Sequence, residues 1–245
     1  GPLWSAGGER GVYKTTDGGE NWTLILELDE HTGATDLVMD PRNPDVLYAA
    51  ALQRRRHVFT YVGGGPGSGI YKTIDGGANW AKANKGLPSG DIGRIGLAIS
   101  PANPEYLYAM VEAAGDGSGF YRSDNRGASW AKQDSYYTRG NYYSEIVAHP
   151  TDPEMVFAMD TYMHYTNDGG KSFERVGEPN KHVDNHCMWI DPEQPNYYLV
   201  GCDGGIYESF DAGETWNYKS NLPVTQFYKV AVDNVTLSKP KDKFV

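Results

Sequence analysis

Apolar residues in this chain come in short runs, each cut off by glycine, proline, asparagine or aspartate. No stretch holds apolar positions at a helical period long enough to build a helix, so the pattern predicts strands. One phrase recurs. Gly69-Ile70-Tyr71-Lys72 leads into Thr73-Ile74-Asp75-Gly76-Gly77-Ala78-Asn79-Trp80. Equivalent phrases carry Asp17 with Trp22, Asn125 with Trp130, Asp168 with Phe173, and Asp211 with Trp216. Positions 17, 75, 125, 168 and 211 are spaced by 58, 50, 43 and 43 residues. A β-rich repeat of this period points to a propeller or a solenoid.

Each phrase reads as a strand, a tight turn and a second strand. The Asp or Asn accepts backbone N–H groups of its own turn, and the glycines supply positive φ. The aromatic residue that follows is large enough to fill the gap between neighbouring sheets. A second phrase falls between the first ones: strand, Pro-x-x-Pro turn, strand, at 41–44, 101–104, 150–153 and 192–195. Proline cannot sit in a central ladder, so it marks the turn.

The two phrases together define four strands per repeat, A to D, which is one propeller blade. Complete blades are expected at about 34–83, 92–133, 142–176 and 183–219, with partial blades at 3–26 and 225–239. The whole chain, 1–245, is then one propeller domain or a fragment of one. Pairing of the two partial blades closes a five-bladed ring; otherwise the chain is an arc of a larger propeller. An arc leaves edge strands open to association. The A–B and C–D turns share one face. The irregular B–C and D–A segments, 53–68, 84–91, 113–118, 134–141, 177–182 and 219–224, share the other, where function tends to sit.

The net charge is −10 over 245 residues, and Arg54-Arg55-Arg56 is a short exception. That balance excludes a general nucleic-acid binder. No apolar run reaches the length of a membrane span. Gly1-Pro2-Leu3-Trp4 reads as the inside of a domain and not as a secretion signal. Cys187 and Cys202 fall nearly opposite each other on two expected strands, as a disulfide or as two half-buried thiols.

The repeated turn resembles the Asp box, Ser/Thr-x-Asp-x-Gly-x-Thr-Trp, and the chain resembles the sortilin-like Asp-box (BNR-type) repeat propellers found as glycosyl-hydrolase-like repeat proteins in bacteria. The segments 92–96, 181–192 and 226–233 carry the same resemblance. It implies an exported protein. It also implies that Asp17, Asp75, Asn125, Asp168 and Asp211, with Trp22, Trp80, Trp130, Phe173 and Trp216, are structural, with the aromatics buried between blades.

Candidate chemistry lies elsewhere. His182, Asp184 and His186 alternate, so one strand would present all three to the inner channel. Two imidazoles and a carboxylate suit a divalent metal such as zinc; a polar strand bonded to water is the other reading. Arg139, Asn141, Tyr142 and Tyr143 are expected beside them, in a set that suits a sugar or peptide. The 53–68 loop reads as a docking loop or as a solvated one. No catalytic residue is assigned. Two functions follow: a non-catalytic scaffold binding a protein, peptide or glycan on the loop face, or part of a glycoside hydrolase whose site is completed by regions outside this chain.

Overall fold

The computed structural model describes residue 2 and residues 4–222. It opens on a two-stranded pair, β1 (Val12–Lys14) and β2 (Thr23–Leu26). The chain then builds β3 (Thr32–Asp40) and β4 (Asn43–Gln53), a small separate hairpin of β5 (Arg55–Arg56) and β6 (Tyr61–Val62), and β7 (Gly69–Thr73) with β8 (Ala81–Lys82). Strands β3, β4, β7 and β8 form the first four-stranded sheet. The second sheet is β9 (Ile92–Ile99), β10 (Leu107–Ala113), β11 (Gly119–Ser123) and β12 (Ala131–Asp134). The third is β13 (Ile146–Ala148), β14 (Val156–Ala158), β15 (His164–Thr166) and β16 (Glu174–Arg175). The fourth is β17 (Asn185–Ile190), β18 (Tyr198–Cys202), β19 (Gly205–Ser209) and β20 (Asn217–Tyr218).

Strands neighbouring in sequence pair antiparallel within each sheet. This is the all-β, four-stranded blade architecture of a propeller, with one short 3₁₀ turn at Gly115–Gly117. Among the described residues the series of sheets is open. The partial blade expected at 225–239, and with it closure of the ring, lies outside them.

The core sits between sheets. Tyr48, Ala50 and Ile70 of the first sheet pack with Ile95, Leu107, Val111 and Trp130 of the second. Tyr108, Met110 and Phe120 of the second pack with Ile146, Val156 and Ala158 of the third. Phe157 and Met159 meet Met188, Val200 and Trp216 in the next gap. Two polar handles cross these gaps: the Tyr48 hydroxyl donates to Arg126 O at 2.9 Å, and that of Tyr108 to Pro153 O. Burying a tyrosine this deeply requires such a partner, and burial pushes the Tyr48 phenol up to about 12.

The repeated turns close on themselves. In the fourth copy Thr166 Oγ1 donates to Asp168 Oδ1 (2.8 Å) and accepts from Gly170 N (2.9 Å), while Asp168 accepts from the N–H of Lys171 and Ser172 and from the Ser172 hydroxyl. Asn125 repeats the arrangement with Ser123 and Ser129. The residue after the Asp or Asn is left-handed in all five copies: Gly18, Gly76, Arg126, Gly169 and Ala212.

The aromatics do not share one environment. Trp130 and Trp216 are buried, and their Nε1 atoms donate to Ala83 O (2.8 Å) and Gly177 O (2.9 Å) at the end of the preceding sheet. Trp80 and Phe173 are half-buried. Trp22, expected to be buried, is 60 % exposed, and its Nε1 turns back to Gly19 O (3.1 Å). Burial here needs a sheet in front, and among the described residues none precedes β1.

Candidate functional site

The D–A and B–C segments meet at the end of the blades opposite the repeated turns. Four inner strands, β3, β9, β13 and β17, begin there. The chain approaching β13 folds as a turn: Tyr142 N and Tyr143 N both donate to Arg139 O, at 3.1 and 2.9 Å. The third sheet therefore starts at Ile146 and not at 142. This turn packs closely against β9, because Gly96 has no side chain; a Cβ there would lie 1.6 Å from Ser144 O. Arg94 NH1 fastens it from the other side by donating to Gly140 O at 3.3 Å.

That anchoring delivers Tyr143 to the fourth blade. Its hydroxyl donates to Asp184 Oδ1 at 2.6 Å and accepts from the Thr161 hydroxyl at 3.4 Å. Its ring stacks on the His186 imidazole, with centroids 5.6 Å apart and planes 15° from parallel. His186 Nε2 in turn lies 2.9 Å from Asp203 Oδ1. Burial first, and then the hydrogen bond to Asp184, push the Tyr143 phenol up to about 12. At neutral pH Tyr143 keeps its proton and is the donor to Asp184.

Beneath this cluster lies a buried ion pair. Lys181 Nζ is 2.7 Å from Glu178 Oε1 and also donates to the side chain of Asn185 and to His182 O. Asn185 Nδ2 donates to Glu178 Oε1 at 2.9 Å. Lys181 and Glu178 are 0 % and 2 % exposed, and the ammonium faces the Trp216 ring at 5.3 Å. A buried charge pair persists when its remaining lone pairs and protons are also satisfied, as here.

The His182, Asp184 and His186 trio is not assembled as one strand face. Strand β17 starts at Asn185, and Asp184 is left-handed with φ of 62°. That kink breaks the period-two alternation on which the single-face expectation rests. His186 is buried against Tyr143. His182 is exposed, lies over Gly204 and has Nδ1 2.8 Å from Val183 O. Among the described residues no three His, Cys, Asp or Glu side chains come together to hold a metal ion. Tyr143, Asp184 and His186 are brought together. Arg139, Asn141 and Tyr142 stay exposed on their turn, Tyr142 at 75 %.

Asp203, Thr161, Lys181 and Glu178 complete the cluster and were missed. A signal for Asp203 was present: mirroring about the 192–195 turn sets residues 200–202 opposite 185–187 and Asp203 opposite Asp184, as the Asp203 N–H to Asp184 O bond shows. The observed pairing decides between the two expectations for the cysteines. Cys187 faces Gly201 and Cys202 faces Asn185, so the thiols sit out of register and are two free thiols, buried rather than half-buried.

No family model and no curated protein matches this chain. Solved structures do. It is similar to an ancestral GH74 enzyme, at 18 % identity and a TM-score of 0.54 over 78 % of this chain and 25 % of that one. It is similar to YCF48 from Cyanidioschyzon merolae, at 16 % identity and a TM-score of 0.56 over 90 % and 70 %. It is also similar to a YCF48 bound to D1 peptide, at 17 % identity and a TM-score of 0.50 over 90 % and 81 %. The chain spans a quarter of that GH74 enzyme. At such identities the likeness is one of fold, the propeller-like repeat fold.

Proposed function

We propose that this chain is a non-catalytic propeller scaffold that binds a peptide or glycan on the face opposite the repeated turns. The observation that carries this reading is the Tyr143 cluster. It is a rigid polar floor of Tyr143, Asp184, His186 and Asp203, flanked by exposed Tyr142, Arg139 and His182. Fixed donors and acceptors beside an exposed aromatic are what a recognition site requires. The D1 peptide held by the YCF48 structure is in keeping with a peptide ligand. Under the same reading the repeated turns are Asp boxes of the sortilin-like type and the protein is exported. No helix among the described residues is long and apolar enough to cross a membrane.

The test is binding of the purified chain to peptide and oligosaccharide arrays, followed by Tyr142→Ala and Tyr143→Phe. Tyr142→Ala is expected to weaken binding roughly tenfold, about 1.4 kcal/mol, without lowering the melting temperature. Retention of no peptide and no oligosaccharide would sink the reading.

The GH74 likeness supports a second reading, in which the chain is part of a glycoside hydrolase. Asp184 and Asp203 are neighbours, with Asp203 N donating to Asp184 O at 3.3 Å. A hydrolase needs its two carboxyl groups about 5–9.5 Å apart on either side of the glycosidic bond. Here the carboxylates of Asp184 and Asp203 are occupied by Tyr143 and His186. Release of reducing sugar from a β-glucan, abolished by Asp184→Asn, would favour the hydrolase over the scaffold.

A further inference from the structure

We propose that the β5–β6 hairpin inserts its tip into an anionic lipid surface, at a site separate from the Tyr143 cluster. Among the four-stranded sheets described, the first alone carries such a hairpin between its second and third strands; in the fourth, β18 and β19 are joined by Asp203 and Gly204 only. The base of the hairpin is fixed. Arg54 N donates to His31 O (3.1 Å), Gln53 N to Ser68 Oγ (2.9 Å) and Gly65 N to Ile92 O (3.0 Å). The turn is tight, with His57 N donating to Thr60 O at 2.7 Å. Its two central positions hold Val58 and Phe59, where glycine, asparagine or aspartate usually sit. These side chains are 80 % and 95 % exposed, the most exposed large apolar groups among the described residues. Tyr61 and Val62 on β6 are exposed as well. Neither the turn nor the core uses this apolar surface, so it is free for a partner.

The surroundings select the partner. Arg54, Arg55 and Arg56, the chain's one run of three cationic residues, lie just before the tip. Across the hairpin Arg55 pairs with Val62 and Arg56 with Tyr61. Arg54 covers the Tyr61 ring at 5.3 Å, Arg56 covers the Trp4 ring at 5.5 Å, and Arg55 lies 3.0 Å from the His31 ring. Among the described residues none of the three forms an ion pair with a carboxylate. An apolar tip is thus followed by amphipathic rings and guanidinium groups. An anionic bilayer presents matching layers: acyl chains, and above them a headgroup zone that takes Tyr and Trp rings and attracts arginine. Its surface potential acts within a Debye length, about 8 Å at physiological salt. The charge that counts is therefore that of the hairpin and not the −10 of the whole chain. A convex tip of two residues is too small for a stable protein interface, which buries about 800 Å² per partner. Apolar insertion joined to a basic patch is instead a two-signal arrangement for holding a protein on a membrane.

The experiment is flotation of the full chain with vesicles of phosphatidylcholine, alone or mixed with phosphatidylserine, at low and at high salt. Binding to the mixed vesicles is expected, falling roughly tenfold or more on phosphatidylcholine alone and falling again at high salt. Val58→Ser combined with Phe59→Ser is expected to weaken binding roughly tenfold or more and to leave the melting temperature unchanged, since neither side chain is packed. Arg56→Gln is expected to weaken it roughly fivefold. Phe59→Trp is expected to keep binding, with the added indole's emission shifted to the blue and quenched by lipids brominated on their acyl chains. Absence of binding to the mixed vesicles, equal binding to phosphatidylcholine alone, wild-type binding by the doubly substituted tip, or an unquenched indole in Phe59→Trp overturns the proposal. A dimer in analytical ultracentrifugation that the double substitution dissolves, with no vesicle binding, assigns the tip to a second copy of the chain and overturns it as well.

Discussion

At one end of the blades, Asp168 finds its partners in Thr166, Lys171 and Ser172, all within a few residues of itself. At the other end, Tyr143 finds them in Thr161 and Asp184, and Asn185 reaches back to Asp160 O. Both ends keep their polar groups satisfied, the first at exposed positions and the second in partly buried ones. The first does it inside one hairpin, so the solution can be copied from blade to blade. The second does it across a blade junction, so each junction has its own solution. The repeated end is therefore scaffold, and the end that differs from blade to blade is where a binding surface can be specific.

The comparison breaks most sharply at Lys181. Lys181→Ala leaves Glu178 charged and buried, and urea denaturation should show a loss of about 3–5 kcal/mol. The paired change Lys181→Met with Glu178→Leu should cost far less, because no charge is stranded. An equal loss in both would mean that packing, not charge, holds this junction. Next come two equivalent aromatics. Trp216→Ala should cost about 3–4 kcal/mol by opening a cavity between the third and fourth sheets, whereas Trp22→Ala should change stability by about 0.5 kcal/mol or less. A large loss at Trp22 would show that something covers it.

A smaller effect sharpens the local end. Thr166 is buried, and its hydroxyl serves both Asp168 and Gly170 N. Thr166→Val keeps the shape and strands the Gly170 N–H, for a loss of about 1–2 kcal/mol in the same denaturation assay. The smallest effect is one of pH. Hydrogen bonds from Asn21 and Asn79 hold the Asp17 and Asp75 carboxyls at about 2, and those from Ser172 and Thr166 outweigh burial to hold Asp168 there too. These groups are depressed in the folded state, so their contribution is complete above the unfolded value near 3.8 and is lost as pH falls from about 4 towards 2. Asp168→Asn should flatten the acid limb of a melting-temperature profile. The Asn125 turn does not titrate and should contribute nothing to that limb.

What the sequence revealed divides along the same line. The blade architecture was legible because Asp-Gly turns and Pro-x-x-Pro turns act over a few residues, and five copies repeat the signal. Tyr143, Asp184 and His186 were legible as neighbours, since adjacent D–A segments must meet. Their geometry was not. The alternation argument assumes extended backbone, and Asp184 at φ of 62° removes that assumption. Nor does local sequence show that Lys181 is buried, because its partner Asn185 and its aromatic wall, Trp216 and Tyr207, belong to the fourth blade. The 53–68 segment, expected as a long loop, contains the β5–β6 hairpin, and its glycine run is held by Gln53 and by Ile92 O.

The strict chain order of strands within each sheet has a kinetic consequence. Every sheet can be completed from contiguous chain, as from Ile92 to Asp134 or from Asn185 to Tyr218. Loop-closure entropy is then small at each step, and sheet formation need not wait for distant segments. A chain leaving the ribosome can close one blade before the next has emerged, with each new sheet templated on the apolar face of the last. The exposed face awaiting its neighbour is then short-lived, and a slow-translating stretch just after β12 or β16 would lengthen the window in which that face can stick to something else.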